Sequence, residues 1–295
     1  MSRVVLLLLL STTLAACAAR RLPTRHSPEQ GPCARVEGGF VCASQTHKVT
    51  TSMGVRNVHV ALPQGAPPST GWPVVFAFQG SWFPAHLWFV SDTSLPFGGV
   101  HQGVVTRRLL DAGFAVVAPE TRGGGLTYWE TNQPYAMHDW ARSDDHQMML
   151  ALFDAVRAGD YGPLDDDRLF AMGVSSGGYM TSRMAVSYPG RFRRLAIMSA
   201  SYATCGGPVC NLPDVVPPRH PPTMFLHGER DTVVPPQSMQ LYARWLAAHD
   251  VVVEEVRDAA AGHGWIRAAP DAIVRFFKAD GAPPASPDDD AWRRW

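Results

Sequence analysis

Ser175 stands in Gly173-Val174-Ser175-Ser176-Gly177, a G-x-S-x-G motif whose surroundings give it chemical meaning. The stretch Arg168-Leu169-Phe170-Ala171-Met172 before it is apolar and strand-like. Gly178 to Val186 after it follow a helical pattern that ends at Tyr188-Pro189. Strand, sharp turn and helix make a nucleophile elbow, which lifts a serine hydroxyl clear of the sheet. The flanking glycines have no Cβ, so the backbone can take the strained turn and the helix can approach the strand. A helix N-terminus behind Ser175 favours negative charge developing there.

A serine hydroxyl is a weak nucleophile until a histidine takes its proton and a carboxylate orients that histidine. Enzymes built on this elbow place the partners in the order serine, acid, histidine. Thr223 to His227 reads as a buried strand running into Gly228-Glu229-Arg230-Asp231-Thr232-Val233-Val234-Pro235, and Asp231 is the expected acid. Its rivals are Glu229, which sits closer to the strand, and a plain capping role for Asp231 before the helix near Ser238. Of 11 histidines, His263 alone follows Asp231 between glycines, in the loop after the strand Val251–Val256, and is the expected base. His249 reads as a surface residue at a helix end and His227 as a structural, hydrogen-bonded strand-end residue. One oxyanion donor is expected from the Ser176 N–H. The other comes from Gln79-Gly80-Ser81-Trp82 after the strand Pro73–Phe78, with Ser81 N–H preferred and Trp82 as the other candidate. Nothing in this set calls for a metal or a cofactor.

The elements that must position these residues alternate. Strands are expected at 73–78, 114–118, 168–172, 195–199, 223–227 and 251–256, and helices near 103–112, 145–158, 176–187, 238–248 and 270–278. This predicts an α/β domain with a mostly parallel sheet covered on both faces. His47 to Ala61 reads as a hairpin turning near Met53-Gly54. The gap Ala200–Pro222, proline-rich and short, leaves no room for a helical lid, so an open site is expected. Aromatic residues crowd the loops at strand ends: Trp82, Phe83, Trp88, Phe89, Phe97, Tyr128, Trp129, Tyr135 and Trp140. As a set they suggest an apolar landing surface, with Trp82, Trp129 and Trp265 the expected substrate contacts and core packing the alternative for each.

Taken together, Asp165 to Gly178, His227 to Pro235 and Gly262-His263-Gly264-Trp265 resemble the polyhydroxyalkanoate depolymerase and feruloyl-esterase group of secreted α/β-hydrolases. The likeness is strongest to depolymerases of medium-chain-length polyhydroxyalkanoate, whose elbow also carries Ser-Ser-Gly-Gly. It covers roughly residues 45 to 278. It implies the α/β-hydrolase fold without a cap domain, no cofactor, and hydrolysis of an insoluble aliphatic polyester through an acyl-enzyme. The Gln79-Gly80-Ser81-Trp82 loop departs from the His-Gly of short-chain depolymerases. Feruloyl or other carbohydrate-ester and aryl esterases therefore stand as the alternative within enzymes, with a peptidase behind them because no propeller-like segment to select peptides is read in the sequence. Outside enzymes the alternative is a polymer-binding lipoprotein on a hydrolase scaffold, against which a complete triad in order argues.

Lys plus Arg and Asp plus Glu both total 26, so no net charge recruits nucleic acid, and the expected partner is the ester substrate of a monomer. Met1-Ser2-Arg3 followed by the apolar run Val4–Leu14 reads as a secretion signal, too short to span a bilayer. Leu14-Ala15-Ala16-Cys17 resembles a bacterial lipobox, which implies lipidation of Cys17; ordinary signal-peptidase cleavage nearby is the alternative. The expected division is signal 1–16, tether and N-terminal segment 17–44, catalytic domain 45–280 and disordered tail 281–295. Export to the outer membrane, the cell surface or the medium follows, with contact to membrane only through the lipid. Cys33, Cys42, Cys205 and Cys210 then form disulfides more readily than a zinc site. Three pairings are open. Cys33–Cys42 and Cys205–Cys210 are preferred, because Gly38-Gly39 and Gly206-Gly207 suit the turns.

Overall fold

A computed structural model describes residues 31–206 and 209–280. The signal, lipobox and tail expectations lie outside these residues. The main sheet has eight strands: β1 (Gln45–Thr51), β2 (Gly54–Ala61), β3 (Trp72–Phe78), β4 (Ala115–Pro119), β5 (Leu164–Val174), β6 (Phe192–Met198), β7 (Thr223–Gly228) and β8 (Val253–Asp258). Their order is β8-β7-β6-β5-β3-β4-β2-β1, parallel throughout except at β2, which runs antiparallel to both β1 and β4. Five longer helices accompany it: α1 (Gly99–Asp111), α2 (Asp144–Ala158), α3 (Ser176–Ser187), α4 (Pro236–Ala247) and α5 (Ala269–Lys278).

Side-chain parity along the buried strands divides the core between the two faces. Val75 and Ala77 of β3, with Phe170 and Met172 of β5, pack towards α1 and α5. Val74, Phe76 and Phe78, with Leu169 and Ala171, pack towards α2 and α3. Helix α5 shows why it lies where it does. Ala269, Ala272, Ile273, Phe276 and Phe277 recur at three- and four-residue spacing, and all are buried. A fully buried phenylalanine or isoleucine side chain contributes about 1.5–3 kcal/mol to such a layer.

The elements follow the expected alternation, with ends that differ by a few residues. Two features go beyond it. Cys33–Val36 and Gly39–Cys42 form a hairpin that pairs, through Gly39–Val41, with a third short strand, Val90–Asp92. A Cβ on Gly39 would overlap the Ser91 carbonyl, so only glycine permits that approach. The N-terminal segment is thus docked beside the loop that enters α1. Both preferred disulfides are present, Cys33–Cys42 and Cys205–Cys210. Among the described residues between β6 and β7 there are only loop and a minimal hairpin, Cys205–Gly206 with Val209–Cys210, and no lid helix.

Candidate active site

The chain leaves β5 through a true elbow. Ser175 has φ 55° and ψ −123°, a left-handed conformation rare for a residue with a Cβ. Its N–H donates to Met198 O at 2.9 Å, tying the turn to β6, and α3 starts at the next residue. Both motif glycines are obligatory. A Cβ on Gly173 would strike the Gly177 carbonyl, and one on Gly177 would strike that of Phe78. Gly178 is similarly confined, its would-be Cβ lying 2.5 Å from that of Ala200.

Asp231 lies in the loop after β7, where its carboxylate gathers four donors. Oδ1 accepts the amides of Val233 and Val234 at 2.9 and 2.8 Å. Oδ2 accepts from His263 Nδ1 at 2.8 Å and lies 3.1 Å from His227 Nε2. Burial alone would raise this carboxyl's pKa, but the hydrogen bonds from His227, His263 and Val234 hold it well below the usual carboxylate range. A carboxylate only accepts, so His263 carries its proton on Nδ1 and leaves Nε2 as a base. His263 and Ser175 both line one cavity of about 380 Å³.

The other histidines separate as expected. Glu229 pairs with Arg257 at 3.1 Å and leaves Asp231 unrivalled. His249 bonds Trp245 O on the surface. His227 is structural in the sense expected, with one added consequence. Its Nε2 also lies 2.9 Å from Val234 O, another pure acceptor, so the proton sits on Nε2 and is shared between that carbonyl and Asp231. Its Nδ1 is buried without a partner among the described residues.

The loop after β3 runs beside the elbow. A Cβ on Gly80 would lie 3.8 Å from that of Ser175, which brings Ser81 to the cavity wall with Ser175. The Trp82 N–H donates to Thr127 O at 2.9 Å and is withdrawn as an oxyanion donor. The Ser81 amide has no partner among the described residues. Trp82 itself has φ 62° and is 68% exposed, an uncommon combination for a bulky side chain.

Trp129 requires correction as a substrate contact. It is fully buried outside the cavity, packs edge-on against Phe78, and donates from Nε1 to Gln79 O at 2.8 Å. Its N–H donates to Ser176 Oγ at 3.0 Å, so it stitches the loop after β3 to the start of α3. Behind it, Glu130 accepts the amides of Asp144 and Asp145, and Asp145 Oδ2 accepts the Glu130 N–H at 2.6 Å. Arg56 of β2 closes this buried network on both aspartates. Trp88, Phe89 and Trp140 are likewise core residues, whereas Trp82, Phe97, Tyr128 and Tyr135 are exposed.

Trp82 and Trp265 do line the cavity, together with Phe83, Leu87, Leu95, Phe97 and Val233. Much of this wall is supplied by the segment between β3 and α1. Two residues that sequence reasoning missed hold it. Ser199 Oγ donates to Gly264 O at 2.8 Å and lies 3.1 Å from Gly264 N, clamping the loop of His263. Gln102 accepts the Trp265 Nε1–H at 2.9 Å. Neither stands in a motif. The arrangement can accept a hydroxyl proton at His263, stabilise the resulting imidazolium on Asp231, and hold an apolar acyl chain beside Ser175.

Comparison with known proteins agrees with this geometry. The poly(3-hydroxyoctanoate) depolymerase of Pseudomonas fluorescens is 44% identical over 227 residues, covering 77% of this chain and 81% of that protein. The prolyl oligopeptidase family (Peptidase_S9) matches residues 103–204, a stretch that contains the elbow. Among solved structures, the carboxylesterase EstE1, cloned from a metagenomic library, superposes with TM-score 0.57 at 17% identity, over 82% of this chain and 90% of its own. A putative dipeptidyl aminopeptidase IV from Bacteroides ovatus gives TM-score 0.56 at 14% identity, and this chain spans 36% of its length. At these identities the structural matches speak for the α/β-hydrolase fold alone.

Proposed function

The chain belongs to the poly(3-hydroxyoctanoate) depolymerase family, serine ester hydrolases of the α/β-hydrolase fold, and on that premise we propose that it hydrolyses medium-chain-length polyhydroxyalkanoate through an acyl-enzyme. The observation that carries the reading is that Ser175 and the Asp231-held His263 both open onto one apolar cavity. His263 Nε2 takes the Ser175 hydroxyl proton as Oγ attacks the ester carbonyl. The tetrahedral oxyanion is met by the N–H groups of Ser176 and Ser81. His263 then protonates the departing 3-hydroxyl, leaving an acyl-Ser175. Water, deprotonated by the same nitrogen, cleaves that ester, releases the 3-hydroxy acid and restores Ser175. The acyl side chain lies against Phe83, Leu87, Leu95, Phe97 and Val233.

Two closed disulfides support an exported enzyme. The lipobox-like Leu14-Ala15-Ala16-Cys17 supports attachment to the outer membrane through Cys17. The enzyme then meets its polymer outside the cell as a monomer.

The test is clearing of turbid poly(3-hydroxyoctanoate) and poly(3-hydroxybutyrate), beside hydrolysis of methyl ferulate. Clearing of the octanoate polymer by the wild type, lost in Ser175→Ala, is the expected result. Ferulate turnover with neither suspension cleared would replace the polyester assignment by an aryl esterase. Full activity in Ser175→Ala would remove the elbow from the mechanism.

A further inference from the structure

Gln102 lies in the first turn of α1 and lines the cavity beside Leu95, Phe97 and Trp265. Its side-chain orientation follows from chemistry. The Trp265 indole N–H can only donate, so the Gln102 atom 2.9 Å from it is the carbonyl Oε1. The amide nitrogen is therefore the other branch, and it makes no hydrogen bond among the described residues. The helix that carries it is fixed in place. A Cβ on Gly103 would lie 2.5 Å from Val90 O and 2.7 Å from Ser91 Cα, and one on Gly99 would lie 2.7 Å from Leu95 Cβ. Gln102 thus carries an oriented N–H donor on rigid backbone, at a residue lining a cavity walled largely by leucine, proline and aromatic carbon.

Accepting that the cavity holds the acyl unit of a 3-hydroxyalkanoate ester, we propose that Gln102 Nε2 recognises the oxygen that such a unit carries on its third carbon. That oxygen is a hydroxyl at a chain end and an ester within the chain. A fatty acyl group of equal length fills the apolar wall but leaves this donor unmatched. A site built to bond a polar group discriminates against a ligand lacking it. Gln102 is then a specificity-determining residue that separates hydroxyalkanoate from plain alkanoate.

The experiment measures kcat/KM on p-nitrophenyl esters of octanoate, 3-hydroxyoctanoate and 3-acetoxyoctanoate. The readout is the ratio of each oxygenated ester to octanoate. Gln102→Met removes donor and acceptor; Gln102→Glu, assayed at pH 8, keeps an acceptor for Trp265 and removes the donor. The ratio is expected to fall about tenfold for either oxygenated ester in Gln102→Met, and for the acetoxy ester in Gln102→Glu, since that ester has no hydroxyl to donate to the new carboxylate. A fall confined to the hydroxy ester or to the acetoxy ester names which oxygen is read. A ratio within twofold of the wild type in Gln102→Met overturns the proposal. So does a fall on the acetoxy ester in Gln102→Met without one in Gln102→Glu, which would leave Gln102 as an anchor for Trp265. A wild type that turns over none of the three esters overturns the esterase reading as well, a result distinct from an unchanged ratio.

Discussion

Asp231 shows how much one carboxylate can organise. Two amides of its own loop fix Oδ1, and two imidazoles address Oδ2. Asp231→Asn is expected to keep the fold and lower kcat on the order of 10⁴-fold, because the imidazole loses the partner that sets its tautomer. His227→Leu tests the second imidazole. It leaves Val234 O and Asp231 Oδ2 each short of a donor in a buried site, at a cost of about 1–3 kcal/mol in stability. Because His227 acts through Asp231, kcat should fall while KM stays near the wild-type value. Equal kcat in the two proteins, with stability alone reduced, would confine His227 to a structural role. The triad was legible in the sequence because each member sits at a strand end in a fixed chain order. Ser199 and Gln102 were not, since each acts on a loop far away in the chain, Gly264 and Trp265 respectively.

At the scale of the element, the elbow sets a stability–function conflict. Ser175 holds a backbone conformation that a glycine would take without strain, and such outliers cost of order 1–3 kcal/mol. Ser175→Gly should raise the melting temperature and abolish hydrolysis. Gly177→Ala should do the opposite to stability, since its Cβ would meet the Phe78 carbonyl of a central strand. A loss of about 3 kcal/mol or more is expected by chemical denaturation. The elbow could be read from the glycine spacing together with the strand before it and the helix after it, and the parallel sheet from alternating apolar runs. Trp129 could not be placed that way. A loop tryptophan has no periodicity to say which way it faces, and only the Arg56–Asp144–Asp145–Glu130 network behind it explains why that segment turns inward. The strand Val90–Asp92 escaped for a related reason, as three residues are too few to show alternation.

Over the whole molecule, neutral histidines shielded by the fold are expected to set the acid limit. His220 donates from Nδ1 to Pro221 O and accepts at Nε2 from the Tyr202 hydroxyl, 2.7 Å away. Burial lowers its pKa to about 4, below the unfolded value near 6.5. The unfolded chain therefore binds the extra proton first. This contribution to stability, ~3 kcal/mol, is whole above pH 6.5 and is lost as the pH falls towards 4. His146 adds to it in the same direction, its pKa also lowered by burial. Melting temperature should drop between pH 6.5 and 4.5, and His220→Asn should flatten that slope. A slope unchanged in the variant would assign the acid limit elsewhere.

Trp82, Phe97 and Val233 line the cavity and are also 68%, 53% and 64% exposed, so its rim is apolar on the outside as well. On a solid particle such a rim makes the enzyme a two-dimensional reactant. Its rate then follows fractional coverage, as for a Langmuir adsorbate, and further enzyme adds nothing once the surface is tiled. Clearing of a polymer suspension should plateau with enzyme concentration while hydrolysis of a dissolved ester rises in proportion. Trp82→Ser should shift that plateau to higher concentration, since weaker adsorption needs more enzyme to reach the same coverage.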